Sequence, residues 1–128
     1  VNVRRSIAAA LLVASIAIAA GCTESGRVTR GVAVNVGDAE AGRNAIQHYG
    51  CGSCHEIPGV PNADATVGPP LTKFGDRSFI AGELTNTPDN LVRWVMDPRG
   101  VEPGTAMPEM GVTHDDAVNI AAYLEHLH

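Results

Sequence analysis

The sequence predicts a small all-α domain with a loop-rich middle, and three observations predict it. Three segments repeat apolar residues at helical spacing and carry helix-start signals. Residues 56–87 are broken by Pro58, Pro61, Gly68, Pro69, Pro70, Gly75 and Gly82, which leaves little room for another long regular element. At the end of the first helical segment stands Cys51-Gly52-Ser53-Cys54-His55, two thiols and an imidazole within one turn of chain.

The first helix is expected to start at Asp38, a good N-cap. Gly42, Ala45, Ile46 and Tyr49 then recur at i, i+3, i+4 and i+7 and form one face. Glycine inside a helix costs about 1 kcal/mol against alanine, a cost that a close helix crossing at Gly42 justifies. This helix runs into Cys51. In residues 56–87 one short helical turn is expected near 70–74. An irregular segment of this length is uncommon in a compact domain unless it wraps something. Thr87-Pro88 opens the next helix as N-cap and first-turn proline. Leu91, Val92 and Val95 face inward there, and Pro98 is expected to stop it. A second loop covers 99–112. Thr113 and Asp116 resemble a capping box with Asp in place of Glu. Ala117, Ile120, Ala121, Leu124 and Leu127 give the last helix its apolar face. No internal repeat or low-complexity tract interrupts the chain.

The 128 residues suffice for one small domain, and the first stretch does not read as part of it. Arg4 and Arg5 precede an apolar run over 7–20, broken only by Ser15, and Ala19-Ala20-Gly21-Cys22 follows. This is the pattern of a secretory signal. A membrane span needs about 20 apolar residues, more than this run offers, so a retained anchor is the weaker reading. Gly21-Cys22 resembles a bacterial lipoprotein box. That resemblance implies cleavage before Cys22 and lipid on its thiol. Ordinary cleavage after Ala17-Ile18-Ala19 is the alternative, and it leaves an unpaired exported thiol. The expected organisation is a signal peptide over 1–21, a lipidated cysteine and flexible tether over 22–36, and one domain over 37–128. A flexible tether of about 15 residues reaches roughly 20 Å. Its 28–36 portion alternates and can also be extended.

Removing residues 1–21 takes away two of the 9 basic residues and none of the 14 acidic ones, leaving 7 against 14 and a formal charge of −7. Nucleic acid and anionic membrane surfaces are therefore poor partners, and a protein with a basic docking patch is favoured. Five aromatic residues are few for a small domain that must stabilise itself.

The cysteine motif supplies what the side chains lack. Two thiols three positions apart can each add to one vinyl group of a single haem, and the following histidine is then placed beneath the iron as an axial ligand. A dithiol redox pair has no need of His55 and favours a βαβ setting. A zinc site needs a second ligand pair at similar spacing. Covalent haem on Cys51 and Cys54, with His55 as iron ligand, is the expectation.

A thioether opposite His55 suits electron transfer, whereas an open position suits ligand binding or oxygen chemistry. Met96 lies within the helical pattern LVRWVM. Met107 lies in Pro103-Gly104-Thr105-Ala106-Met107-Pro108, an irregular loop able to lay a side chain on a haem face. Met110, three residues on, stays a second candidate. A lone methionine usually fills core space, but the loop favours Met107 as ligand. His48 lies on the proximal side, and His114, His126 and His128 read as solvated, so a second histidine ligand is the minor alternative.

These motifs resemble the bacterial monohaem cytochromes c of the mitochondrial-like class over about residues 37–128. The resemblance rests on CGSCH, Val67-Gly68-Pro69-Pro70-Leu71, the stretch from Asn86 to Trp94, PGTAMP and Ala122-Tyr123-Leu124. It implies a small cytochrome c fold, with N- and C-terminal helices crossed beside one covalent haem c and with Gly42 and Tyr123 at the crossing. By the same resemblance the Pro69 carbonyl accepts the His55 ring N–H, Leu71 packs on haem and the Trp94 indole N–H points to a propionate. Arg77 and Arg93 are weaker propionate candidates. The stretch from Arg77 to Pro108 also resembles the cytochrome domain fused to subunit II of some haem–copper oxidases, here without a copper domain. The family's ring of lysines is missing, Lys73 being the single lysine.

The resemblance implies a one-electron carrier rather than an enzyme, tethered outside a bacterial membrane and passing electrons between respiratory complexes. Its expected partners are a haem–copper oxidase and a quinol-oxidising complex. A fixed haem subunit of such a complex is the alternative, and a catalytic or gas-sensing haem is a third reading that a closed Met107 site disfavours.

Overall fold

The computed structural model describes residues 36–128. The expected signal peptide, Cys22 and the tether up to residue 35 lie outside the described residues.

Four helices and one small hairpin make up the described fold: α1 (Ala39–His48), β1 (Phe79–Ile80), β2 (Leu84–Thr85), α2 (Pro88–Met96), α3 (Pro98–Val101) and α4 (His114–Glu125). Asp38 caps α1 through its carboxylate, which accepts from the Glu40 and Ala41 N–H groups at 2.8 and 2.9 Å. Its own N–H donates to Asn119 Oδ1 of α4 at 2.8 Å, so the cap also ties the two helices together. Their crossing explains Gly42. A Cβ there would overlap the Asn119 carbonyl oxygen, so no other residue lets the backbones approach this closely. Tyr123, one turn beyond Asn119 on α4, reaches away to the 56–64 loop and donates to the Pro58 carbonyl at 2.5 Å.

Thr87 caps α2, accepting the Asn90 N–H at 3.3 Å, with Pro88 at the first helical position. Leu91 and Val95 of this helix are buried, and Val92 is half-buried. Pro98 does not merely stop α2, as the sequence suggested. It opens α3, for which Asp97 is the cap, its carboxylate accepting the Gly100 N–H at 2.8 Å. The reason is that proline's fixed φ forbids continuation but suits a helix's first position. The expected loop therefore begins after Val101 rather than at 99. Thr113 caps α4, accepting the Asp116 N–H at 3.2 Å.

The middle segment holds short turns of 3₁₀ helix at Cys51–Ser53 and Phe74–Asp76, the latter displaced from the turn expected at 70–74. It also holds the hairpin, which the sequence did not announce. Phe79 pairs with Thr85 and Ile80 with Leu84 around a turn in which Ala81 and Gly82 both have positive φ. Ala81, Gly82 and Glu83 form a three-residue loop, closed by Glu83 N–H donating to the Ile80 carbonyl at 3.0 Å. Its left-handed positions favour glycine or asparagine, and Ala81 hides the signal.

Ile46, Leu91, Ala117 and Ile120 are almost wholly buried where α1, α2 and α4 meet. Ile57 and Phe74 of the middle segment join this core. No helix among the described residues is long and apolar enough to cross a membrane.

Candidate haem site

A cavity of about 370 Å³ opens inside this core, within the usual range of roughly 300–1,000 Å³ for cofactor sites. Many of its walls are residues that are otherwise buried: Ile46 of α1, Leu91 and Val95 of α2, and Ile120 and Leu124 of α4. The middle segment closes the rest through Leu71, Phe74 and Ile80. The core is thus built around a space, which explains how so long an irregular segment stays ordered.

Cys51, Cys54 and His55 share one wall. They arrive there because α1 ends at His48 and the chain turns at once into the 3₁₀ turn, with His55 N–H donating to the Cys51 carbonyl at 3.1 Å. Both thiols are free and half-buried. Burial pushes the Cys51 thiol pKa up, with the neighbouring Cys54 adding to it against a backbone hydrogen bond.

The His55 ring is held on two sides. Nδ1 lies 2.7 Å from the Pro69 carbonyl. A carbonyl only accepts, so Nδ1 carries the proton and Nε2 keeps its lone pair. That is the tautomer an iron-binding imidazole requires. Gly68 forms the second support: a Cβ there would stand 2.5 Å from Cε1 and 2.7 Å from Nδ1. The loop carrying both supports is anchored by Gly68 N–H to the Cys54 carbonyl at 2.7 Å and by Leu71 N–H to the Glu56 carbonyl at 2.8 Å.

Met107 and Met110 both line the cavity, as do Pro69, Leu71 and Trp94. Met107 is half-buried and its N–H donates to Thr105 Oγ1 at 3.2 Å, whereas Met110 is 41% exposed. Met96 is 36% exposed and away from the cavity. Arg77 lines the cavity and Arg93 does not, which separates two residues that the sequence treated alike. Histidine apart, Arg77 is the one charged residue in the lining. Its guanidinium sits 5.2 Å from the Phe74 ring centroid and donates to the carbonyls of Pro70 and Thr72, the latter at 3.0 Å.

One feature escaped the sequence reading. Asn86 Nδ2 donates at 3.0 Å to both the Phe74 and Arg77 carbonyls, a role no spacing rule encodes. Val67 and Met110, both exposed, also line the cavity.

The residues present fit a covalently held haem: two free thiols, a histidine of fixed tautomer, a thioether and a largely apolar lining share one cavity. Among the described residues there is no cluster of three or more His, Cys, Asp or Glu arranged to hold a bare metal ion.

Comparison with known proteins agrees. The profile of the family described as Cytochrome c matches residues 39–128. Cytochrome c oxidase subunit 2 of Alkalihalophilus pseudofirmus is 36% identical over 90 residues, which are 70% of this chain and 25% of that protein. The same subunit of Bacillus sp. PS3 is 38% identical over 65 residues, 49% of this chain and 18% of that one. The chain thus spans a quarter or less of these relatives' length. Cytochrome c2 of Rhodobacter sphaeroides superposes with a TM-score of 0.53 at 24% identity, covering 71% of this chain and 96% of that one, a likeness of fold.

Proposed function

The chain belongs to the cytochrome c family, and we propose that it is a His/Met-ligated one-electron carrier, lipid-anchored at the outer face of a bacterial membrane, that passes electrons to a haem–copper oxidase. Family membership makes it an electron carrier rather than an enzyme and gives it a covalent haem c, for which Cys51 and Cys54 are the paired thiols. The observation that carries the reading is the cavity that gathers Cys51, Cys54, a tautomerically fixed His55 and Met107.

Haem c supplies the Fe(III)/Fe(II) couple. The chain's own residues do the rest. Cys51 and Cys54 would hold the group by thioether bonds. His55 would offer Nε2 to the iron, and the Pro69 carbonyl, accepting from Nδ1, would raise its basicity. Met107 would offer its thioether to the same iron. Leu71, Phe74, Ile80 and Leu91 exclude water, which limits reorganisation when one electron moves. Trp94 and Arg77 are lining residues that would donate hydrogen bonds to propionates.

Oxidase as acceptor is supported by the subunit 2 relatives, and the quinol-oxidising complex is the matching donor class. The same likeness favours a second reading, a fixed haem subunit of an oxidase. Cys22 supports the anchor, because it closes a signal-like segment and has no other evident use. Several acyl chains give stable attachment where one is marginal.

Mass spectrometry of the mature N-terminus, with affinity purification from native membranes, tests this. A lipidated Cys22 on a protein that elutes alone supports the tethered carrier. Stoichiometric oxidase subunits would support the fixed-subunit reading. An unmodified N-terminus at Ala20 would overturn the anchor.

A further inference from the structure

Asn86 lies just after β2 and outside the cavity lining, yet it holds a chain of contacts that ends on the His55 ring. Its Nδ2 donates at 3.0 Å to both the Phe74 and Arg77 carbonyls, and its N–H donates to the Ser78 carbonyl at 3.0 Å. These bonds fix the 74–78 turn and with it the base of the Arg77 side chain. Arg77 Nη2 in turn donates to the carbonyls of Pro70 and Thr72.

The Pro70 carbonyl belongs to the peptide plane that follows the one offering Pro69 O to His55. That next plane is gripped on both edges, its oxygen by Arg77 and its Leu71 N–H by the Glu56 carbonyl at 2.8 Å. The plane bearing Pro69 O has no N–H of its own, because its nitrogen is Pro70's. It therefore cannot be steadied by donating, and its orientation depends on its neighbours.

Asn86 Oδ1 is buried without a partner. A buried acceptor without a partner loses its hydration and gains nothing in return. The position thus keeps an amide for its two donated bonds despite a cost at its oxygen.

We infer that Asn86 is a positioning residue for electron transfer: through Arg77 it orients the Pro69 carbonyl, so it sets the basicity of His55 and the reduction potential of the site. The inference rests on His55 being the axial ligand. A stronger bond from Nδ1 makes the imidazole a better donor and favours Fe(III). Loosening the clamp weakens that bond, so the potential rises.

The sign separates this action from charge. Removing a cation beside the site relieves repulsion on the more positive iron and so favours Fe(III), which lowers the potential. Asn86→Ala changes no charge, so a rise in potential there belongs to the clamp.

The experiment uses the holoprotein with Asn86→Ala, Arg77→Leu and the double variant. Three readouts are taken: midpoint potential, the Nδ1–H proton signal of His55 in the reduced protein, and denaturant stability. Asn86→Ala should raise the potential, move the Nδ1–H signal upfield and speed its exchange. The double variant should shift the signal no further than Arg77→Leu alone, since residues acting in series are non-additive. Loss of stability with potential and Nδ1–H signal both at wild-type values would overturn the inference, leaving Asn86 merely structural. Strictly additive shifts would overturn the route through Arg77. Should Asn86→Ala fail to fold, Asn86→Ser carries the same readouts with a smaller loss of packing. Failure of the axial-ligand reading shows itself differently: the wild-type reduced protein would then have no haem-shifted His55 ring signals at all.

Discussion

Tyr49 Oη donates to the Asp116 carboxylate at 2.8 Å, joining the end of α1 to the first turn of α4. The same hydroxyl accepts the Thr113 N–H at 3.4 Å, and Thr113 Oγ1 donates to Asp116 at 2.8 Å. The capping box expected from sequence is therefore rearranged. Its acid accepts from two hydroxyls, and the cap's backbone N–H goes to a tyrosine from another helix.

A pH dependence follows from this cluster. The Tyr49 hydroxyl first, then that of Thr113, hold the Asp116 carboxyl below its ordinary value, against an opposing effect of burial, and His48 acts in the same direction as the hydroxyls. Its folded pKa is depressed, so its contribution is present above the ordinary value of about 3.9 and is lost as pH falls through the lower folded value. Tyr49→Phe should be less stable than wild type at pH 7, with the gap narrowing below pH 4. Urea titrations across pH check this. A gap constant with pH would assign the loss to packing alone.

Glu125 acts in the opposite sense. Burial raises its carboxyl pKa, partly countered by His126, and Oε1 has no hydrogen-bond partner. Its folded pKa lies above its unfolded one, so the stability it contributes is present below about 4.3 and is lost as pH rises through the folded value. Glu125→Gln removes the charge and keeps the shape. It should be more stable than wild type at pH 7 by a small margin, given the group's partial exposure, and should lose that advantage at pH 4. Thermal melts at both pH values give the measurement.

Met107 and Met110 can be separated by substitution. Both line the cavity, but Met107 is the less exposed. Met107→Ala should abolish the weak long-wavelength absorption of a thioether-bound ferric haem, lower the potential and allow CO to bind the reduced protein. Met110→Ala should leave all three at wild-type values. The reverse pattern would exchange the assignments.

Much of this site was legible because it is written in short range. The turn carrying Cys51, Cys54 and His55 is contiguous, and its chemistry needs no tertiary knowledge. The three long helices were legible because Asp38, Thr87 and Thr113 are caps ahead of periodic apolar residues. The hairpin was not, because its two-residue strands are too short to alternate and Ala81 stands where a turn glycine is expected. The clamp through Asn86 and Arg77 was not, because it joins side chains to carbonyls 5–12 residues away in irregular backbone. Gly68 was legible only as part of a motif. That it yields space to an imidazole is a fact of packing.

That packing gives the most direct test of the proximal side. Alanine at 68 places a methyl 2.5 Å from His55 Cε1 and 2.7 Å from Nδ1, well inside van der Waals contact. The backbone at 68 cannot retreat easily, since its N–H is bonded to the Cys54 carbonyl at 2.7 Å. The imidazole must therefore rotate or tilt, and its bond to Pro69 lengthens. Overpacking of this kind costs about 1–3 kcal/mol. Gly68→Ala should accordingly keep both thioethers, which depend on Cys51 and Cys54 alone, while weakening axial coordination by His55. The haem should stay with the protein in acidified acetone, but the ferric spectrum should gain a high-spin component and the potential should change. Imidazole added to the solution should restore a low-spin spectrum by replacing the displaced ring. A Gly68→Ala protein with wild-type spectrum and potential would mean that the His55 ring has room to spare, contrary to the geometry.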